Sequence, residues 1–149
     1  MKKYLVTLIV LITLSMGGYF VIGLLNVTPP SPTITVEDKN VEVAQGSYCW
    51  NGLINAGCVD MTSPPEIIKD HEFKPVVASP ESELNIEFKN TPQENTLNVN
   101  QWLTNEKTAN VHIRDNKIVL PKEKGVYGYD VSARWEKGDS SYAFVIEIR

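Results

Sequence analysis

Residues 125–148 read GVYGYDVSARWEKGDSSYAFVIEI. Tyr127, Tyr129, Val131, Ala133 and Trp135 share one parity. Glu136-Lys137-Gly138-Asp139-Ser140 then turns the chain, and Tyr142, Phe144, Ile146 and Ile148 share a parity after it. Side chains of a strand alternate between two faces, so each half of this stretch presents one apolar face. Such a face is stable only when a second layer covers it.

The same period of two recurs upstream. Leu84, Ile86 and Phe88 alternate with Asn85, Glu87 and Lys89, and Val41 and Val43 flank Glu42. Leu97, Val99 and Leu103 share a parity, which puts Trp102 on the opposite, outer one. Val111 and Ile113 alternate with His112 and Arg114, and Asp115-Asn116 offers a two-residue turn into residues 117–120, which reads as a hairpin. Seven to eight short strands with turns between them predict an all-β, antiparallel sandwich. One short helix is expected over residues 64–70, with Ser63 as cap, Pro64 in the first turn and Glu66 near the positive end of the helix.

Two resemblances sharpen this expectation. Glu123-Lys124-Gly125-Val126-Tyr127-Gly128-Tyr129 resembles the immunoglobulin-type approach to strand F. That resemblance implies an Ig-like sandwich in which Tyr127 forms a corner with backbone upstream. Tyr129 stands where an antibody domain has its second core cysteine, so the resemblance excludes a true antibody-type domain. Over the whole outer domain, the order GSYCW, CVD, SPP, Leu-x-Ile-x-Phe, Gln-Trp and the closing stretch resembles small membrane-tethered or secreted proteins of Gram-positive bacteria. That group has no settled function, so the resemblance implies a location and a fold class but no chemistry.

Lys2 and Lys3 precede residues 4–27, which carry no charge. About 20 apolar residues in a helix cross a bilayer core, and residues 5–25 supply that length. The hydroxyls of Thr7, Thr13 and Ser15 can bond back to the helix backbone. Three readings compete: an uncleaved signal anchor, a signal peptide cut near Ser15-Met16-Gly17, and a lipoprotein signal. The apolar run continues past Gly17, and the first cysteine comes only at Cys49, so the anchor is preferred. The expected division is a cytoplasmic terminus at 1–3, the anchor at 4–27, a proline-rich linker at 28–33 and an extracytoplasmic domain at 34–149. The lysine pair orients the amino terminus inward.

The 149 residues have a net charge of −4, and setting aside Lys2 and Lys3 leaves 12 basic against 18 acidic residues. No basic cluster is available to neutralise phosphates, so nucleic acid is not an expected partner. Cys49 and Cys58 are the two cysteines. Eight residues separate them, which is not the Cys-x-x-Cys spacing of a thiol oxidoreductase. With His71 and His112 they give no close ligand pair for zinc. Outside the membrane they read as a disulfide.

No catalytic constellation stands out. Ser47 lacks a nucleophile elbow. Glu81, Glu83, Asp130 and Asp139 are scattered, and no calcium or phosphate loop is present. No metal, small-molecule cofactor or catalytic residue is expected. Trp50, Trp102, Leu53 and Ile54 are the candidate partner-binding residues.

The expectation is therefore a non-enzymatic, membrane-anchored binding or structural domain facing an envelope protein or wall component. A protease-inhibitor-like module presenting the loop at Leu53-Ile54 is the alternative, and a secreted enzyme with an unrecognised carboxylate site is the third reading. If the cysteines are joined, reductant should lower stability by about 2.5–3 kcal/mol, the chain-entropy value for a ten-residue loop. An unchanged melting temperature, or free thiols counted in the native protein, would overturn the pairing.

Overall fold

The computed structural model describes residues 2–25, 28–52 and 56–149. Helix α1 runs over Lys2–Leu25. In it Thr13 Oγ1 and Ser15 Oγ donate to the carbonyls of Val10 and Ile12, both at 2.9 Å. Side chains in α1 are described for Tyr4 and residues 7–18. Among the described residues, no helix is long and apolar enough to cross a membrane.

The chain then forms β1 (Pro32–Val36), β2 (Lys39–Val41), β3 (Ala44–Asn51) and β4 (Ala56–Val59). Helix α2 (Pro64–Asp70) follows, then β5 (Val76–Ala78), β6 (Glu83–Phe88), β7 (Asn98–Trp102) and β8 (Thr108–Val111). The last three strands are β9 (Lys117–Val119), β10 (Gly125–Trp135) and β11 (Gly138–Ile148). They make two sheets, one ordered β2-β1-β6-β9 and the other β4-β3-β11-β10-β7-β8, with β5 added to β11. The all-β sandwich is as expected. Among the described residues its eleven strands exceed the seven to eight expected, because β1, β3, β4 and β5 add to the stretches whose alternation predicts strands.

The core lies between the sheets. Ile34, Val36, Leu84, Ile86 and Ile118 meet Val99, Val131, Phe144, Ile146 and Ile148, all nearly inaccessible to solvent. Tyr129 stacks on Phe144 with ring centroids 5.2 Å apart. Beyond the core, β11 is buried on its other face too. There Ala143 and Ala44 pack under Ile67 of α2, with Ile68 and Phe73 alongside. Helix α2 starts where the sequence places it. The Glu66 carboxylate accepts from the Ser63 backbone N–H at 3.3 Å and from its hydroxyl at 3.1 Å.

Three expectations need correction. The 111–120 hairpin reduces to a single bridge between Arg114 and Lys117. Asp115 and Asn116 do take positive φ, 50° and 61°, as a type I′ turn demands. However, β8 pairs with β7 and β9 with β6, so this turn carries the chain from one sheet to the other. Second, β7 ends at Trp102, and Leu103 is exposed rather than continuing the buried parity. Third, antiparallel pairing is not universal, because β5 runs parallel to β11.

The proline-rich stretch is also part of the sandwich: Pro29 and Pro32 are buried, and the Tyr142 hydroxyl donates to the Pro30 carbonyl at 3.0 Å. Tyr127 donates its hydroxyl to the Glu123 carbonyl at 2.9 Å. The last strand, β11, lies inside its sheet, whereas the immunoglobulin arrangement ends one sheet on its last strand.

Gly138 opens β11 directly opposite Trp50 of β3. Its φ of 148° disfavours a side chain, and a Cβ there would collide with the Cys49 carbonyl oxygen. Gly138→Ala should therefore lower unfolding stability by roughly 3 kcal/mol in urea titration. Gly57→Ala, where a Cβ meets nothing within 4 Å, should stay within about 0.5 kcal/mol. Equal effects from the two would refute the close-approach explanation.

Candidate functional site

Helix α2 covers only part of the outer face of the larger sheet. Beside it, strand pairing places Trp102 opposite Gly128, Asn100 opposite Asp130 and Asn98 opposite Ser132. On the other edge of β7, Asn100 stands opposite Asn110 of β8. Val99 points into the core, so Asn98, Asn100 and Trp102 share the outward parity.

These side chains form one network. Asp130 is only 8% exposed. Its Oδ1 accepts from Trp102 Nε1 at 2.6 Å, and its Oδ2 from Asn100 Nδ2 at 3.3 Å. The Asn110 amide nitrogen donates to Asn98 Oδ1 and, at 3.4 Å, to Asn100 Oδ1. No ion pair among the described residues includes Asp130. Burial away from water pushes its carboxyl above the ordinary range, against the smaller downward pull of Trp102 and Asn100.

An open depression of about 510 Å³ is lined by Ser47, Thr96, Ser132, Ala133, Arg134, Asp139, Ser140 and Ser141, and it meets the network where Ser132 stands opposite Asn98. A bulge shapes it. β11 advances from Ser140 to Tyr142 while β3 advances from Tyr48 to Gln45, so Gly46 and Ser47 together oppose Ser141. Gly46 fits because a Cβ would lie 2.5 Å from Ser141 Oγ. Ser141 Oγ donates to the Ser47 carbonyl at 3.0 Å, and Ser47 Oγ donates to Asp60 at 3.1 Å. Arg134 and Asp139 form an exposed pair at 3.9 Å, worth little to stability.

The other singled-out residues lie apart from this network. Cys49 and Cys58 are directly opposite in the β3–β4 pairing and are joined, with Cα atoms 4.0 Å apart. By strand parity the bridge lies on the outer face, and both cysteines are exposed. Trp50 points inward, packing edge-on against Trp135 at 5.8 Å. Its buried indole N–H has no acceptor among the described residues. Trp50 and Trp135 also line a second concavity of about 350 Å³ with Pro30, Pro92, Asn90 and Lys137. Leu53 and Ile54 lie outside the described residues. His71 Nδ1 meets the Ile67 carbonyl at 2.9 Å, and His112 is exposed. Among the described residues no group of His, Cys, Asp or Glu could hold a metal.

Parity assigns Trp102 to the outer face, and the structure adds its acidic partner. Sequence reasoning missed the asparagines. The available signal was composition: Asn is depleted in strands, yet it occupies 98, 100 and 110 on adjacent strands. No protein-family model, curated protein or solved structure matches this chain.

Asp130 holds its proton more readily folded than unfolded. Protonation therefore favours the fold, fully below the ordinary value of 3.8 and not at all above the raised folded value. The stability of the native protein relative to Asp130→Asn should thus rise as pH falls from 7 toward 3.8. Urea unfolding across that window tests this, and a constant or falling difference would refute the assignment.

Proposed function

We propose that the protein is a membrane-anchored extracytoplasmic binding module that takes its ligand on the open face of the larger sheet. The observation that carries the reading is the network Asn98–Asn110–Asn100–Asp130–Trp102 on a face that α2 leaves uncovered. Burying a carboxylate without a cation is costly, and the core on the opposite side of the sheet does not need it. Groups held at such a cost are expected at functional sites. The proposal assigns no reaction.

The anchor is part of the proposal. Charge-free residues 4–27 support it, as does α1, whose Leu8, Leu11, Leu14 and Met16 are 55–69% exposed. An apolar surface of that kind calls for a nonaqueous cover. The joined Cys49 and Cys58 support an oxidising location. We read the sandwich as Ig-like in the broad sense, supported by the Tyr127–Glu123 bond. The Gram-positive envelope is the setting that the sequence resemblance favours.

In a Gram-positive host, the full-length mass should stay with the membrane fraction. Protease added to intact protoplasts should remove a carboxyl-terminal tag and spare an amino-terminal one. A soluble product beginning near Gly18, or protection of the carboxyl-terminal tag, would overturn the topology.

A further inference from the structure

We propose that the ligand of this open face is a neutral glycan chain, an inference that rests on the binding-module reading above. The strip beside α2 is built from amides and hydroxyls. Asn98, Asn110, Ser132 and Ser141 supply them. Each sugar hydroxyl both donates and accepts, so it is best met by groups that do the same.

The network leaves such capacity unspent. Among the described residues, Asn98 uses its oxygen and Asn110 its nitrogen. The Asn98 nitrogen and the Asn110 oxygen have no bond there, which leaves a donor and an acceptor on neighbouring strands. Trp102 adds the apolar component. Its Nε1 is pinned to Asp130 and part of the ring stays open. The C–H face of a pyranose stacks on such a ring.

Charge decides against other ligands. Arg134 faces Asp139, and both oxygens of Asp130 already accept. No lysine lines the depression, so a polyanion finds no cluster of cations. A protein partner would favour several aromatic and apolar anchors in the centre of the patch, and the strip has one. The depression of about 510 Å³ is within the size range of small-ligand sites.

The test is calorimetric titration of the full-length protein in detergent micelles with neutral hexasaccharides: β-1,4-linked glucose, β-1,4-linked N-acetylglucosamine and α-1,4-linked glucose. Polyphosphate serves as the anionic control. At least one hexasaccharide should bind, and polyphosphate should not. The double variant Asn98→Ala/Asn110→Ala should weaken binding at least tenfold with an unchanged melting temperature. Ser132→Tyr, which fills the depression and spares the amide ladder, should do the same and guards against a folding defect in the first variant.

Absence of binding to all three hexasaccharides, preference for polyphosphate, or binding that both variants leave intact would overturn the glycan inference. A photo-crosslinker in place of Thr108, which is exposed opposite Trp102, separates the two levels in intact cells. Crosslinking to a protein would refute the glycan and keep the binding module. No crosslink together with no glycan binding would refute both.

Discussion

The burial of β11 on both faces is the constraint on which the rest of the molecule depends. Its inner face supplies Tyr142, Phe144, Ile146 and Ile148 to the core between the sheets. Its outer face supplies Ala143 to the small cluster beneath α2. One edge is filled along its whole length by β10, and the other is shared by β3 near the start and β5 near the end. Every element of the larger sheet is therefore placed by reference to one strand. β10 is its hairpin neighbour, whereas β3 and β5 are distant in sequence. Pairing with β3 and β5 must therefore close long loops before those contacts form.

A strand gripped on both edges tolerates little irregularity, yet β11 has two special positions. At Gly138 the backbone of β3 comes so close that only hydrogen fits. At Ser141 the bulge in β3 lets Gly46 and Ser47 face one residue. Asp139, Ser140 and Ser141, which run from one of these positions to the other, line the polar depression. Bulges re-aim side chains beside functional sites. Here the bulge turns Ser47 toward Asp60 and Ser141 toward the Ser47 carbonyl. The Cys49–Cys58 bridge then fastens the edge strand β4 to β3, limiting how far this end of the sheet can splay.

How legible this was in the sequence varied with the physical signal involved. The faces of β6, β10 and β11 could be read because one-sided burial writes a period of two into the residues. The helix at 64–70 could be read because its cap and first turn use residues with a local preference. The outer-face burial of β11 was less visible, because Ala143 and Val145 are apolar on the parity that ought to be polar. The tight turn at Glu37-Asp38, with φ of 49° and 62°, carries no glycine or asparagine to announce it. The crossing at Asp115-Asn116 had the right turn residues but the wrong implied partner, since local chemistry fixes a turn and not which sheet receives the next strand. The disulfide followed from spacing and from an expected location, whereas the amide network required knowing that β7 lies between β8 and β10.

Within that network the charge on Asp130 has an orienting role. A carboxylate accepts on both oxygens, so Trp102 and Asn100 can each donate to it, whereas an amide at 130 would offer one acceptor. Because Asn100 must turn its nitrogen toward Asp130, its oxygen faces Asn110. Asn110 must then present its nitrogen inward, to Asn100 and Asn98 together, and its oxygen is left for the outside. The polarity of the ladder is thus set at its buried end and read out at its open end. Protonating Asp130 converts one acceptor to a donor and removes that bias, although the fold itself gains from the lost charge. Stability and orientation are opposed at this residue, the pattern expected where a site is retained for what it holds in place and not for what it adds to the fold.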